Sequence, residues 1–111
     1  MKTSQSEIFE AVKNVLLNFN YNCRSCSEVI KMIYTNKTPE ALGYIDISSD
    51  TTMPVLTIDN YPNDSNKDFK KELIDLLNKF FSLKKLETTE IPRGLSSITR
   101  EKFEILELKN F

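Results

Sequence analysis

Tyr44-Ile45-Asp46-Ile47-Ser48-Ser49-Asp50-Thr51-Thr52-Met53-Pro54-Val55-Leu56-Thr57-Ile58-Asp59 decides the fold class of this chain. Ile45 and Ile47 alternate with polar residues, and so do Leu56 and Ile58, a period of two that puts each pair on one face of a strand. The two runs read as a hairpin joined by residues 49 to 54. Thr38-Pro39, just upstream, punctuates the chain, because proline disfavours helical geometry in the residue before it. The period before this point is helical.

Working outward toward the N-terminus, Ser4 and Glu7 form a capping-box pattern ahead of Ile8, Val12, Val15, Leu16 and Phe19, which predicts an amphipathic helix over 5 to 19. Asn20-Tyr21-Asn22 breaks it. Ser25 and Glu28 then repeat the box before Val29, Ile30, Ile33 and Tyr34, which predicts a short second helix over 26 to 36. Downstream of the hairpin, polar turn formers fill Asn60 to Asn66. Phe69, Leu73, Leu76, Leu77 and Phe80 follow as the strongest helical stripe in the chain, a third helix over 66 to 84. Asp68 and Glu72 stand in its first turns and Lys84 and Lys85 at its end, the order that suits a helix dipole. Leu86 to Ile91 and Lys102 to Lys109 bracket a turn at Pro92-Arg93-Gly94 and read as a second strand pair. Residues 95 to 101 fit either state. The expected architecture is therefore α+β, in the order α-α-β-β-α-β-β around an antiparallel sheet. With 111 residues, 40% hydrophobic and 28% charged, one folded domain over 1 to 111 accounts for the whole chain.

Composition removes several function classes. There is no His, the side chain that most often serves as general base or metal ligand near neutral pH. Two glycines, Gly43 and Gly94, leave no room for a phosphate-cradling loop or a dinucleotide fingerprint. No apolar run approaches a bilayer span, and the N-terminus lacks the apolar stretch of a secretion signal, so the expected location is cytoplasmic, without membrane. Ser96 and Ser97 have no His to activate them. Nothing marks two of the 16 acidic residues as a catalytic pair. No enzyme activity and no cofactor are expected.

Cys23-Arg24-Ser25-Cys26 is the one pattern that invites chemistry, a C-x-x-C at the start of the expected second helix, where amides and dipole lower a thiol pKa. Met53-Pro54-Val55 resembles the proline segment opposite that motif in thioredoxin-like proteins, but the order of elements around the cysteines does not fit that fold. Spacing to Val29 and Ile30 instead makes Cys26 a small buried hydrophobe. A thiol redox protein using Cys23 and Cys26 remains the enzymatic alternative. Two cysteines without His are too few for a zinc site. The loop-like run from Asp64 to Asp75 lacks the glycine and the glutamate of a calcium loop.

Charge is the remaining clue. The net charge of -1 hides +2 over residues 1–37, -5 over 38–68, +3 over 69–86 and -1 over 87–111. All six aspartates lie between positions 46 and 75. An acidic face on the hairpin attracts basic proteins and repels nucleic acid, although acidic residues also guard strand edges. The reading that follows is a non-enzymatic protein-binding domain, a small neutralising inhibitor of toxin-immunity or antitoxin type. It would set Asp46, Asp50, Asp59 and Asp64 against a basic partner such as a nuclease, with Tyr44 and Tyr61 as aromatic anchors. A nucleic-acid-binding domain using Lys67, Lys70, Lys71, Lys84 and Lys85 of the third helix is the other alternative, diluted by interleaved acids.

Overall fold

The computed structural model describes residues 4–109; residues 1–3 of the stretch read for a secretion signal lie outside it. Eight elements follow one another: α1 (Gln5–Asn18), β1 (Tyr21–Ser25), β2 (Ile30–Thr35), β3 (Gly43–Asp46), β4 (Val55–Asn60), α2 (Lys67–Phe80), β5 (Phe81–Arg93) and β6 (Ser96–Leu108). The strands form one antiparallel sheet in the order β1-β2-β3-β4-β6-β5. The class is α+β, with two helices where the sequence predicts three.

α1 starts as its capping box requires, the Ser4 hydroxyl accepting from the Glu7 amide at 3.2 Å. Its stripe of Ile8, Phe9, Val12 and Leu16 is buried, each side chain stabilising by roughly 1.5–3 kcal/mol. Asn20, in the left-handed region with φ 68°, then reverses the chain into β1. α2 buries Leu73 and Leu77 and stops at Phe80 rather than 84. Phe81 is extended and fully buried, and Lys84 and Lys85 lie on β5, not at a helix end. Lys79 is the basic residue in the last turn of α2.

Both helices share one core with Ile33, Ile45, Leu56, Ile58, Phe81 and Ile105, so they cover the same face of the sheet. The alternate residues of the strands, among them Arg24, Met32, Tyr44, Thr57 and Lys102, are cross-strand neighbours on the other face. No helix among the described residues lies on that side. None of the described helices is long and apolar enough to cross a membrane.

The second helix expected over 26 to 36 is a correction. Ser25 ends β1, and the hydroxyl that captures amides is that of Ser27, which accepts from Val29 and Ile30 at 3.3 and 3.1 Å and so makes a turn. Ile30-Lys31-Met32-Ile33-Tyr34-Thr35 is rich in β-branched and aromatic residues and forms β2. Ile33 faces the helices, while Ile30, Met32 and Tyr34 face the open side. Apolar residues on both faces erase the alternation that marks a strand, leaving a spacing that also fits a helix.

β5 and β6 are longer than their sequence signals, running to Arg93 and from Ser96. β4 pairs β6 only from Thr99 to Glu104, so the rungs from Ile91↔Ile98 outward project as a two-stranded arm. Its two-residue tip is Gly94-Leu95, one step past the expected turn. Gly94 has φ 63°, the positive value that a II′ turn needs at its first central position.

Gly43 is the other position where only glycine serves. A Cβ there meets Ile58 Cδ1 at 2.5 Å and the Thr57 carbonyl oxygen at 2.8 Å, and the latter is backbone that cannot step aside. Gly43→Ala is expected to destabilise the fold by about 1–3 kcal/mol, read as a lower urea midpoint with an unchanged m-value.

Candidate functional site

β3 begins and β4 finishes at the same end of the sheet, and the loops before β3 and after β4 rise around the open face there. A cleft of about 560 Å³ lies there, lined by Met32, Tyr44, Thr57 and Asp59 from the sheet, and by Glu40 and the loop carrying Tyr61 and Asp64. Strand alternation aims Tyr44 and Asp59 to the same side, and β4 runs directly into the loop that presents Tyr61. Four of the six residues singled out for partner binding, Tyr44, Asp59, Tyr61 and Asp64, thus line one cavity. Asp46 lies two residues along β3 on the same face, half-buried, accepting from the Ser48 amide at 2.8 Å. Asp50 is exposed in the connection between β3 and β4.

The electrostatics differ from what charge counting along the chain suggests. Asp59 is bound in two places by Arg100, Nε to Oδ1 at 2.7 Å and Nη2 to Oδ2 at 3.0 Å. The hydrogen bonds to Asp59 hold the Arg100 guanidinium in its charged form against the cost of burial. Asp64 is tied to Lys70, with side chains only 7% and 6% exposed. The same ammonium donates to the Asp59 carbonyl at 2.6 Å and sits 4.9 Å over the Tyr61 ring. Burial pushes the Asp64 carboxyl up. Hydrogen bonds from Lys70 and from the Asn66 and Tyr61 amides, together with the Lys70 charge, outweigh it and hold the group below its ordinary value. Asn66 Nδ2 donates in turn to Glu40 at 2.8 Å, and the Thr38 hydroxyl donates to the same carboxylate at 2.8 Å. Those bonds keep Glu40 below the usual carboxylate range. One chain of polar contacts therefore braces both walls of the cleft.

Arg100, Glu40 and Asn66 were not legible as site residues, and Lys70 drew notice only as one of the lysines of a nucleic-acid-binding helix. Arg100 stands 41 positions from Asp59. Lys70 looks like a solvated helix lysine until α2 is docked, and it is 4% exposed. Lys67, Lys70 and Lys71 remain on α2, but the burial of Lys70 and the placement of Lys84 and Lys85 on β5 disperse the basic cluster expected there.

Cys23 and Cys26 are both free, and their positions are a second correction. Neither is at a helix start. Cys23 lies on β1 facing α1, half-buried, and Cys26 is exposed in the turn beyond, not a buried hydrophobe. Burial pushes the Cys23 thiol up, against smaller opposing pulls from Lys13 and Lys31. Extended backbone rises about 3.3 Å per residue, which sets their Cα atoms roughly 10 Å apart, past the roughly 7 Å limit for a disulfide. No group of three or more potential metal ligands occurs among the described residues.

Compared with protein-family models, with curated proteins and with solved structures, the chain matches none of them.

Removing one partner of a buried ion pair leaves the other charge stranded, so Lys70→Ala is expected to cost about 3 kcal/mol in urea unfolding. Because the Asp64 carboxyl titrates lower in the folded chain, its contribution is present above the ordinary carboxylate value and is lost as pH falls through the lower folded one. A melting temperature that drops below about pH 4 in the wild type, and less steeply in Asp64→Asn, is the expected result.

Proposed function

We propose that this chain is a non-enzymatic protein-binding domain whose partner docks on the open face of the sheet, at the cleft framed by Tyr44 and Tyr61. The observation that carries the reading is the convergence of four residues chosen on charge and aromaticity, Tyr44, Asp59, Tyr61 and Asp64, around one cavity on the face that the helices leave bare. Tyr61 is 45% exposed and Tyr44 half-buried, each a large amphipathic ring held by a rigid scaffold, the type of side chain that dominates interface energies.

A small neutralising inhibitor, of toxin-immunity or antitoxin type, fits this surface best. Arg100 and Lys70 neutralise Asp59 and Asp64, so those two carboxylates act as struts that hold the tyrosines in place. The charges left to steer a basic partner, such as a nuclease, are those of Glu40 at the cleft and of Asp46 and Asp50 toward the other end of the β3–β4 pair. Steering of this kind speeds association and weakens with salt.

A panel of basic proteins that includes small nucleases, passed over the immobilised domain, tests the reading. Tyr44→Ala and Tyr61→Ala are each expected to weaken capture by about 2 kcal/mol, roughly thirtyfold in Kd. Asp46→Asn with Asp50→Asn is expected to slow association and flatten its salt dependence. Equal binding by wild type and all these variants, or no binding by any panel member, would sink the proposal.

A further inference from the structure

The two edges of the sheet are built differently. β5 is guarded: it carries Pro92, two shifts of register against β6, and the charges Lys84, Lys85, Glu87 and Glu90. Such features keep a strand from pairing with strangers. β1, at the other edge, is Tyr21-Asn22-Cys23-Arg24-Ser25, with no proline, no register shift and no acidic residue. Its one charge is already engaged, the Arg24 guanidinium lying 4.9 Å over the Tyr34 ring.

Hydrogen-bond parity shows which backbone groups of β1 look outward. The Cys26 amide donates to the Ile30 carbonyl at 2.9 Å, and that pair continues the β1–β2 register in which Arg24 faces Met32 and Asn22 faces Tyr34. In an antiparallel ladder bonded pairs alternate, so Asn22 and Arg24 bond toward β2. Tyr21, Cys23 and Ser25 then turn both N–H and C=O away from the sheet. The Ile47 amide donating to Val29 at 2.8 Å fixes the same parity from the β3 side, since it assigns Val29, Lys31 and Ile33 of β2 to β3. Among the described residues, nothing bonds to the backbone N–H and C=O of these three outward positions; Lys31 Nζ donates at 3.0 Å to the Ser25 side-chain hydroxyl, which leaves that backbone free. A groove of about 490 Å³ between α1 and β1, lined by Phe9, Lys13, Cys23, Ser25 and Lys31, keeps space open on the helix side of that edge.

We infer that β1 pairs antiparallel with β1 of a second copy of this chain, about a two-fold axis through Cys23. The three outward residues are symmetric about Cys23, so Tyr21 meets the partner's Ser25, Cys23 meets the partner's Cys23, and every outward donor finds an acceptor. An isologous contact demands such self-complementarity. No like charges face each other, because Arg24 stands opposite the partner's Asn22. The pairing joins two sheets into one and sets their open faces side by side. It is independent of what occupies the cleft.

Sedimentation across a concentration series tests the inference. The mass is expected to rise from that of one 12.9 kDa chain toward twice that value. In Ser25→Pro it is expected to stay at one chain, with unchanged near-UV circular dichroism, because proline is tolerated at an edge position whose N–H points outward. Directly bonded residues lie about 5.5 Å apart in such a ladder, within disulfide reach. Diamide treatment of Cys26→Ser should therefore join two Cys23 thiols, the two protons and two electrons passing to diamide, and give a covalent dimer on a non-reducing gel. A single-chain mass at every concentration, a dimer that a folded Ser25→Pro preserves, or no Cys23 cross-link would overturn it. If Ser25→Pro fails to fold, the cross-link decides.

Discussion

The ladder between β4 and β6, Val55–Asn60 against Thr99–Glu104, makes one sheet out of two chain segments that are otherwise separate meanders. β6 occupies the place beside β4 that β5 would take in a simple meander. The chain must therefore leave β4 at Asn60, cross the helix side as α2, and return along the far edge as β5 before it comes back inward. That detour puts α2 over the core beside α1. It also forces the loop from Tyr61 to Asn66 to stand at the end of the sheet, where it becomes a wall of the cleft. Loop closure over such separations is costly in entropy, and the burial of Leu56, Ile58, Phe81 and Ile105 beneath the helices is what offsets it.

The same detour brings charges together. Asp59 and Arg100 meet because β4 and β6 are neighbours, and Asp64 meets Lys70 because the first turn and a half of α2 folds back over the loop that precedes it. An acidic segment of the chain is thereby matched with cations from outside the hairpin. The polar chain from Lys70 through Asp64 and Asn66 to Glu40 makes the cleft walls depend on one another. Two exposed or half-exposed tyrosines on so braced a frame lose little freedom when a partner covers them.

Legibility in the sequence followed the strength of the local signal. α1 carried its own cap and an unambiguous stripe, and α2 had Leu73, Leu76, Leu77 and Phe80, whose mixed three- and four-residue spacings share a face of a helix and not of a strand. The alternation in Tyr44–Ser48 and Val55–Asp59 located β3 and β4 to within a residue or two. β1 and β2 were hidden because Cys23, Ile30, Met32, Ile33 and Tyr34 include apolar residues for both faces of the sheet, and a strand flanked on both faces has no period of two to read. Ser25 with Glu28 then supplied a capping pattern that the turn at Ser27 makes irrelevant. For the site, aromatic and acidic residues around the hairpin drew notice to Tyr44, Asp59, Tyr61 and Asp64, while their counter-ions went unseen.

By itself the sequence determined the α+β class, the two helices α1 and α2 and the central hairpin. Those are properties of residue type and short-range spacing, which act before any distant segment arrives. Only the tertiary structure decided that residues 21–35 form strands, that Lys70 is buried, and that Asp59 and Asp64 are neutralised while Tyr44 and Tyr61 frame an open cleft. Each of these outcomes depends on which distant segment supplies the neighbouring strand, the covering helix or the opposite charge, and contacts across tens of residues leave no periodic mark in the chain that makes them.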